Sequence, residues 1–389
     1  MKNCFLGLDI GGTKCAVLLA KVDNGIQIMD KFSFPTQAEK GFDETYGKLC
    51  AGLEEIVRRN GLSFSAVEAL GVSCGGPLDS ARGVVLCPPN LPGWVNIPLK
   101  EMLEQKYGVP VYLQNDANAC ALVEWKLGAG RGCDDMIFLT MGTGMGGGVI
   151  AQGRLLCGCS DMCGEVGHLR LSEDGPVGFG KAGSFEGYCS GGGIQRQAAE
   201  YTRGLLAQGE RPAWVRDGLD ENQMDARIMA EYARKGDARA IAFFQGVGAM
   251  LGKGLALLVD TLNPERIVIG SIFARCEELL RPAMEATLRK EVIAYSMEKL
   301  SVLPAATGEQ LGDFASVMVA LYALDIDVMA DAQERDERVL AHYRRLFERY
   351  PALRACDEQV MQAYLCLRDS YLRHGKVLLM GNGGSCADG

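Results

Sequence analysis

No stretch of this chain approaches the ~18 consecutive apolar residues of a membrane span, so the sequence reads without a bilayer-crossing helix. It lacks a basic surplus: 40 Lys and Arg stand against 49 Asp and Glu, a net charge of −9. That balance argues against an electrostatic nucleic-acid surface. It shows no secretion signal, because Met1-Lys2-Asn3-Cys4 runs straight into a strand-like segment. Histidine is scarce, with three in 389 residues. Cysteine is not, yet the fifteen are odd in number and scattered, which fits a reducing compartment better than a disulfide framework. The expected location is the cytoplasm. Apolar residues at 48% and charged residues at 23% give a globular chain with a large core and room for two or three domains.

What the chain does contain is glycine, placed after strands. Asp9-Ile10-Gly11-Gly12-Thr13-Lys14 is a strand end followed by a glycine turn carrying Thr and Lys. Such a turn lets backbone amides approach an anion as a phosphate nest requires. A second strand, Met136–Met141, opens onto Gly142-Thr143-Gly144-Met145-Gly146-Gly147-Gly148, with Thr140 beside it. Two similar turns predict two related lobes facing each other across a nucleotide; either alone would serve equally as a plain hairpin. Between them, Pro110–Gln114 leads into Asn115-Asp116-Ala117-Asn118, placing a carboxylate at the carboxyl end of a strand, where open α/β sheets bind ligands. Asp116 can also cap the helix expected from Ala117 to Gly128. The two roles are compatible.

Read in order, Cys4–Ile10 and Cys15–Lys21 form a hairpin, followed by a polar, glycine-rich stretch and a helix over Asp43–Asn60 that Gly61 stops. Ala66–Ser73 is a strand. Pro88–Trp94 is a rigid loop with its tryptophan expected at the surface. Phe243–Thr261 is helical, Arg266–Gly270 a strand, and Gly312–Asp325 an apolar helix expected to pack back on the first lobe. Residues 325–370 are rich in charge, Ala and Leu and poor in glycine, a helical connector. Strands alternating with helices predict an α/β fold.

These motifs together resemble the ROK family of sugar kinases and repressors, within the actin-like, sugar-kinase and heat-shock ATPase superfamily. The likeness covers about residues 1–325 and rests on Asp9–Lys14, Gly76-Pro77-Leu78-Asp79, Asn90-Leu91-Pro92-Gly93-Trp94, Asn115–Asn118, Thr140–Gly144, Gly164-Glu165-Val166-Gly167-His168 and Glu186. It implies two actin-like ATPase lobes, residues 1–116 with a return helix at 312–325 and residues 117–311, with ATP and a sugar in the cleft between them. It further implies that Asp116 is the general base removing a proton from a sugar hydroxyl. Gly76, Asn90, Asn115, Asp116, Glu165, His168 and Glu186 would hold the sugar. Asp9, Gly11, Gly12, Thr13, Lys14, Thr140, Gly142, Thr143 and Gly144 would hold ATP, with Asp9 also reaching Mg²⁺ through water. The implied partners are a small-molecule sugar and ATP, not nucleic acid or membrane, and a homodimer is a common arrangement. A sugar-responsive repressor or a sensing pseudo-enzyme is the competing implication; repressors of the family carry a helix-turn-helix before the first strand, and here the strand begins three residues in.

The pattern also breaks. The family's zinc stretch, Cys-x-Cys-x4-Cys after the histidine, reads here as Val177, Phe179 and Ser184, so no zinc is expected. Cys157, Cys159 and Cys163 are alternative thiolates, although they precede Glu165 and are more simply small buried side chains. The family's late glycine pair is Gly270-Ser271. Finally, Leu365–Gly389, ending Gly381-Asn382-Gly383-Gly384-Ser385, resembles the opening of a phosphoheptose-isomerase-type SIS domain, an incomplete one within 326–389. A bifunctional protein with a sugar-phosphate isomerase half is the expectation there.

Overall fold

The computed structural model describes residues 3–23, 25–326 and 328. The connector and SIS-like start expected over 326–389 lie outside them, but for residues 326 and 328. Strands β1 (Cys4–Ile10) and β2 (Lys14–Asp23) pair antiparallel in unbroken register from Cys4 opposite Lys21 to Ile10 opposite Cys15. The stretch expected to be polar loop is instead a third strand, β3 (Gly25–Pro35), lying along β2. Its Ile26, Ile28, Phe32 and Phe34 alternate with polar residues as an edge strand's do; the glycine at its start masked that period. Helix α1 (Phe42–Arg59) follows, then β4 (Val67–Cys74), the short hairpin β5 (Leu78–Asp79) and β6 (Val84–Val85), α2 (Leu99–Tyr107) and β7 (Val111–Asn115). The first sheet has the order β3-β2-β1-β4-β7.

The second sheet repeats the design. After α3 (Asp116–Lys126) come β8 (Met136–Met141), β9 (Met145–Ala151) and β10 (Arg154–Leu156), then the two-residue strands β11 (Val177–Gly178) and β12 (Lys181–Ala182). Helices α4 (Phe185–Cys189), α5 (Gly191–Ala207), α6 (Ala213–Arg216), α7 (Ala226–Arg234) and α8 (Ala238–Leu262) lead to β13 (Arg266–Ile269). Helices α9 (Ile272–Glu291) and α10 (Ala294–Met297), β14 (Ser301–Pro304) and α11 (Leu311–Ala323) complete the described chain. The sheet order is β10-β9-β8-β13-β14. By length and composition α8 alone among the described residues could cross a membrane, which the sequence reading did not anticipate. It packs against α4, α7 and α9 with Phe244, Leu251, Leu255 and Val259 fully buried.

Two helices join the lobes. Helix α11 lies on β1, β4 and β7, while α3 lies on β8 and β9, and the two helices pack on each other. Ala121, Leu122, Met318 and Leu321 form part of one core that includes Phe5 from the first sheet and Phe138 from the second. The close approach of α11 needs Gly71: a Cβ there would land on the Ser316 carbonyl. The mixed α/β architecture is therefore two similar sheets bridged by an apolar helix pair.

Candidate active site

The first glycine turn closes through Gly11, whose N–H donates to the Lys14 carbonyl at 3.1 Å. The buried Thr36 hydroxyl donates to the Gly11 carbonyl at 2.6 Å, a brace that sequence reasoning missed because Thr36 sits 25 residues away. Gly12 is wedged against Asn90, so a Cβ there would come within 2.7 Å of the Asn90 side chain and 2.8 Å of its carbonyl. Asn90 is thereby brought to the first turn. Its loop is anchored by Trp94, which is fully buried and stands edge-on to Phe42 at 5.0 Å. The expectation of an exposed tryptophan is corrected: an indole among so many prolines reads as surface, but α1 supplies the apolar wall it packs on.

Asn115 and Asp116 sit where β7 turns into α3. The cap is Asn115, not Asp116: its Oδ1 accepts from the Ala117 N–H at 2.9 Å and the Asn118 N–H at 3.3 Å. Asp116 Oδ1 also accepts from Ala117 N–H, at 2.8 Å. Behind them, Gln114 Oε1 accepts from Asn115 N–H at 2.7 Å and Asn118 Nδ2 at 3.1 Å, a support the sequence reading treated as plain strand. Gly76 lies beside this corner, its Cβ position 3.2 Å from Asn115 Nδ2.

The second turn is held from α5. Gly191 N–H donates to the Gly142 carbonyl at 2.6 Å and Gly192 N–H to that of Thr143 at 3.1 Å. Ser190 caps α5 by accepting from Gly193 N–H; Ser190-Gly191-Gly192-Gly193 was the legible signal for this helix start. A cavity of about 630 Å³ opens beside the turn, lined in part by Gly142, Thr143, Gly192, Gln195, Ile272 and Arg275. At its edge Ser271 holds φ 58°, a left-handed value a glycine takes freely.

Glu186 in α4 accepts from Met145 N–H at 3.1 Å, and its Oε2 lies 3.0 Å from the Cβ position of Gly144. Glu165 precedes the short turn Val166–His168, and His168 is its last residue. The carboxylates sense one another. Asp9 is pushed up to about 7 by burial, then by the charges of Asp116 and Asp313, with Lys31 and Lys14 pulling the other way. Burial raises Asp116, opposed by the Ala117 N–H. Asp116 is crowded by protein on one side and presents an exposed face on the other. Glu165 is raised by burial and by the Asp116 and Glu186 charges, with His168 lowering it. Asp9, Asp116, Glu165, His168 and Glu186 thus share one acidic neighbourhood, the kind of clustering that marks functional sites.

This has a consequence for stability. Asp9 keeps its proton in the folded chain to about pH 7, whereas an ordinary carboxylate loses it near 3.8. The folded state therefore binds the extra proton, and its contribution is fully present below pH 3.8 and lost as pH rises through 7. The ligand-free protein should lose urea resistance between pH 5 and pH 8, and Asp9→Asn should flatten that slope. Parallel slopes for the two proteins would assign the dependence elsewhere.

A model of the ROK family matches residues 5–323. A glucokinase of Halalkalibacterium halodurans is 31% identical over 76% of this chain and 87% of that protein. The crystal structure of a ROK family glucokinase from Streptomyces griseus in complex with glucose and AMPPNP is 31% identical, with a TM-score of 0.63, covering 80% of this chain and 97% of that one. A xylose repressor of Caldicellulosiruptor bescii is 31% identical over 68% of this chain and 65% of the repressor.

Proposed function

The chain belongs to the ROK family, and we propose that within it this protein is a sugar kinase, transferring the γ-phosphoryl group of ATP to a hydroxyl of a hexose or related aldose. The observation that carries the reading is Asp116, a crowded carboxylate on the first turn of α3, in electrostatic reach of Asp9 and Glu165. Asp116 takes the proton from the acceptor hydroxyl as the phosphoryl group arrives. Gly76, Asn90, Asn115, Glu165, His168 and Glu186 orient the sugar; paired acceptors and an amide fix one arrangement of hydroxyls. Asn90 pressed on Gly12 ties sugar and phosphate segments to one another. The lobes divide at 116 and 117, with α11 returning to the first.

The turns at Gly11–Lys14 and Thr140–Gly144 hold the phosphates, and the cavity beside Thr143 takes the rest of the nucleotide. ATP as donor is supported by the AMPPNP complex of the S. griseus relative. Mg²⁺ supplies charge neutralisation on the transferred group. It is commonly held by one or two carboxylates plus substrate phosphates, and Asp9, acidic neighbours and all, suits that role through water. The similarity to a repressor favours a second reading, sugar sensing without transfer.

The test is ADP release from ATP and Mg²⁺ across hexoses, heptoses and N-acetylhexosamines, glucose first. Turnover with at least one sugar is expected. Sugar binding by calorimetry with no turnover across the panel would move the protein to the sensing class.

A further inference from the structure

In relatives with the zinc stretch, thiolates would stand at positions 177, 179 and 184. Val177, Phe179 and Ser184 cannot supply them, and among the described residues no three His, Cys, Asp or Glu side chains are grouped to hold a metal ion. The upstream cysteines do not substitute: Cys157 Sγ accepts from Gln114 Nε2 at 3.5 Å, and Cys159 is exposed. The implied metal does not fit this chain. What the three positions do instead is specific.

We infer that the hairpin β11–β12 is a metal-free clamp on His168 and Glu186, with Phe179 and Ser184 as its positioning residues. The two turn residues, Phe179 at φ 45° and Gly180 at φ 74°, give the doubly positive turn that favours Asn-Gly. A phenylalanine there is strained, and it is 64% exposed; neither fact serves folding. Its ring stands at 84° to the His168 imidazole, centroids 5.2 Å apart. From β12, Lys181 Nζ donates to the His168 carbonyl at 2.5 Å. The histidine is thus held at its ring and at its backbone by one hairpin.

Ser184 secures the other half. Its buried Oγ accepts from Gly178 N–H and from Gly187 N–H, each at 3.1 Å, which joins β11 to the helix that carries Glu186. A Cβ on Gly178 would sit 2.9 Å from the Glu186 Cβ, so the hairpin lies directly on that residue. Arg196 Nη2 donates to the Val177 carbonyl at 2.7 Å, tying the strand to α5. The Ser184 hydroxyl, the Phe179 ring and the Arg196 bond to the Val177 carbonyl hold the loop that thiolates on one metal would have crosslinked.

The inference rests on the kinase reading, and its test separates the two. Phe179→Gly removes both the ring and the backbone strain. It should melt no lower than wild type, while the sugar KM rises about 3- to 10-fold, the size of one aromatic pair contact, and the ATP KM stays put. Phe179→Tyr should restore the sugar KM. Dialysis against a zinc chelator should leave the wild-type sugar KM unchanged. A wild-type sugar KM in Phe179→Gly overturns the clamp, as does sugar affinity lost on chelation and regained with zinc. Absence of turnover with every sugar overturns the kinase reading instead, and the clamp is then decided by calorimetric sugar affinity of the same variants.

Discussion

Asp116→Asn should lower kcat by roughly 10²- to 10⁴-fold, the usual worth of a positioned general base, with sugar affinity nearly kept. The amide has the carboxylate's shape, and its carbonyl can still accept the Ala117 N–H that Asp116 accepts at 2.8 Å. Because Asn115, not residue 116, is the true cap of α3, the helix start survives the change. What is lost is a proton acceptor and one negative charge. Losing that charge relieves Asp9 and Glu165, both of which it pushes upward, so the variant should fold at least as well as wild type at neutral pH. Loss of turnover together with unchanged or raised stability is therefore the signature. It is read from steady-state ADP release and sugar titration calorimetry on the same preparation. A variant that turned over within a few-fold of wild type would remove Asp116 from the proton-transfer role. One that lost sugar binding altogether would make it a binding residue.

The glycine turns, the Asn115-Asp116 corner and the strand Met136–Met141 were legible because each is local: a strand's period ends in a turn whose residue types have few other uses. The second glycine turn's support by α5 was half legible, in Ser190-Gly191-Gly192-Gly193. The third strand was not, because an edge strand exposes half its residues and its leading glycine reads as loop. Trp94 was misjudged for a related reason. Its burial depends on Phe42, half a hundred residues earlier, and no local pattern encodes that meeting. Thr36 and Gln114 were missed because a hydroxyl and an amide announce nothing until their partners are in place. The altered loop was legible as a loss of thiolates, but not as the gain of a ring against His168, since the geometry of a pair belongs to neither residue alone.

Glu124 is the largest such omission, and its removal should have the largest effect on stability. It lies within α3 with its side chain fully buried. Its carboxylate accepts from Ala129 N–H at 2.8 Å, from Ala306 N–H at 3.1 Å and Thr307 N–H at 2.9 Å, and also from the Thr307 hydroxyl. Those donors belong to the loop after α3 and to the segment that leads into α11. One side chain therefore pins together the two helices that bridge the sheets. Glu124→Ala strands three backbone N–H groups, each costing roughly 1–3 kcal/mol when buried without a partner, so a loss of at least about 3 kcal/mol is expected. Glu124→Gln should lose less, since its carbonyl still serves the donors on one side while its NH₂ faces donors on the other. Glu55→Ala, which breaks only an exposed pair with Arg58, should move stability by less than about 1 kcal/mol. Urea unfolding separates the cases: a lower midpoint at unchanged slope for Glu124→Ala reports lost stability in the same fold. A midpoint no lower than that of Glu55→Ala would mean that water replaces the carboxylate and that the pin is dispensable.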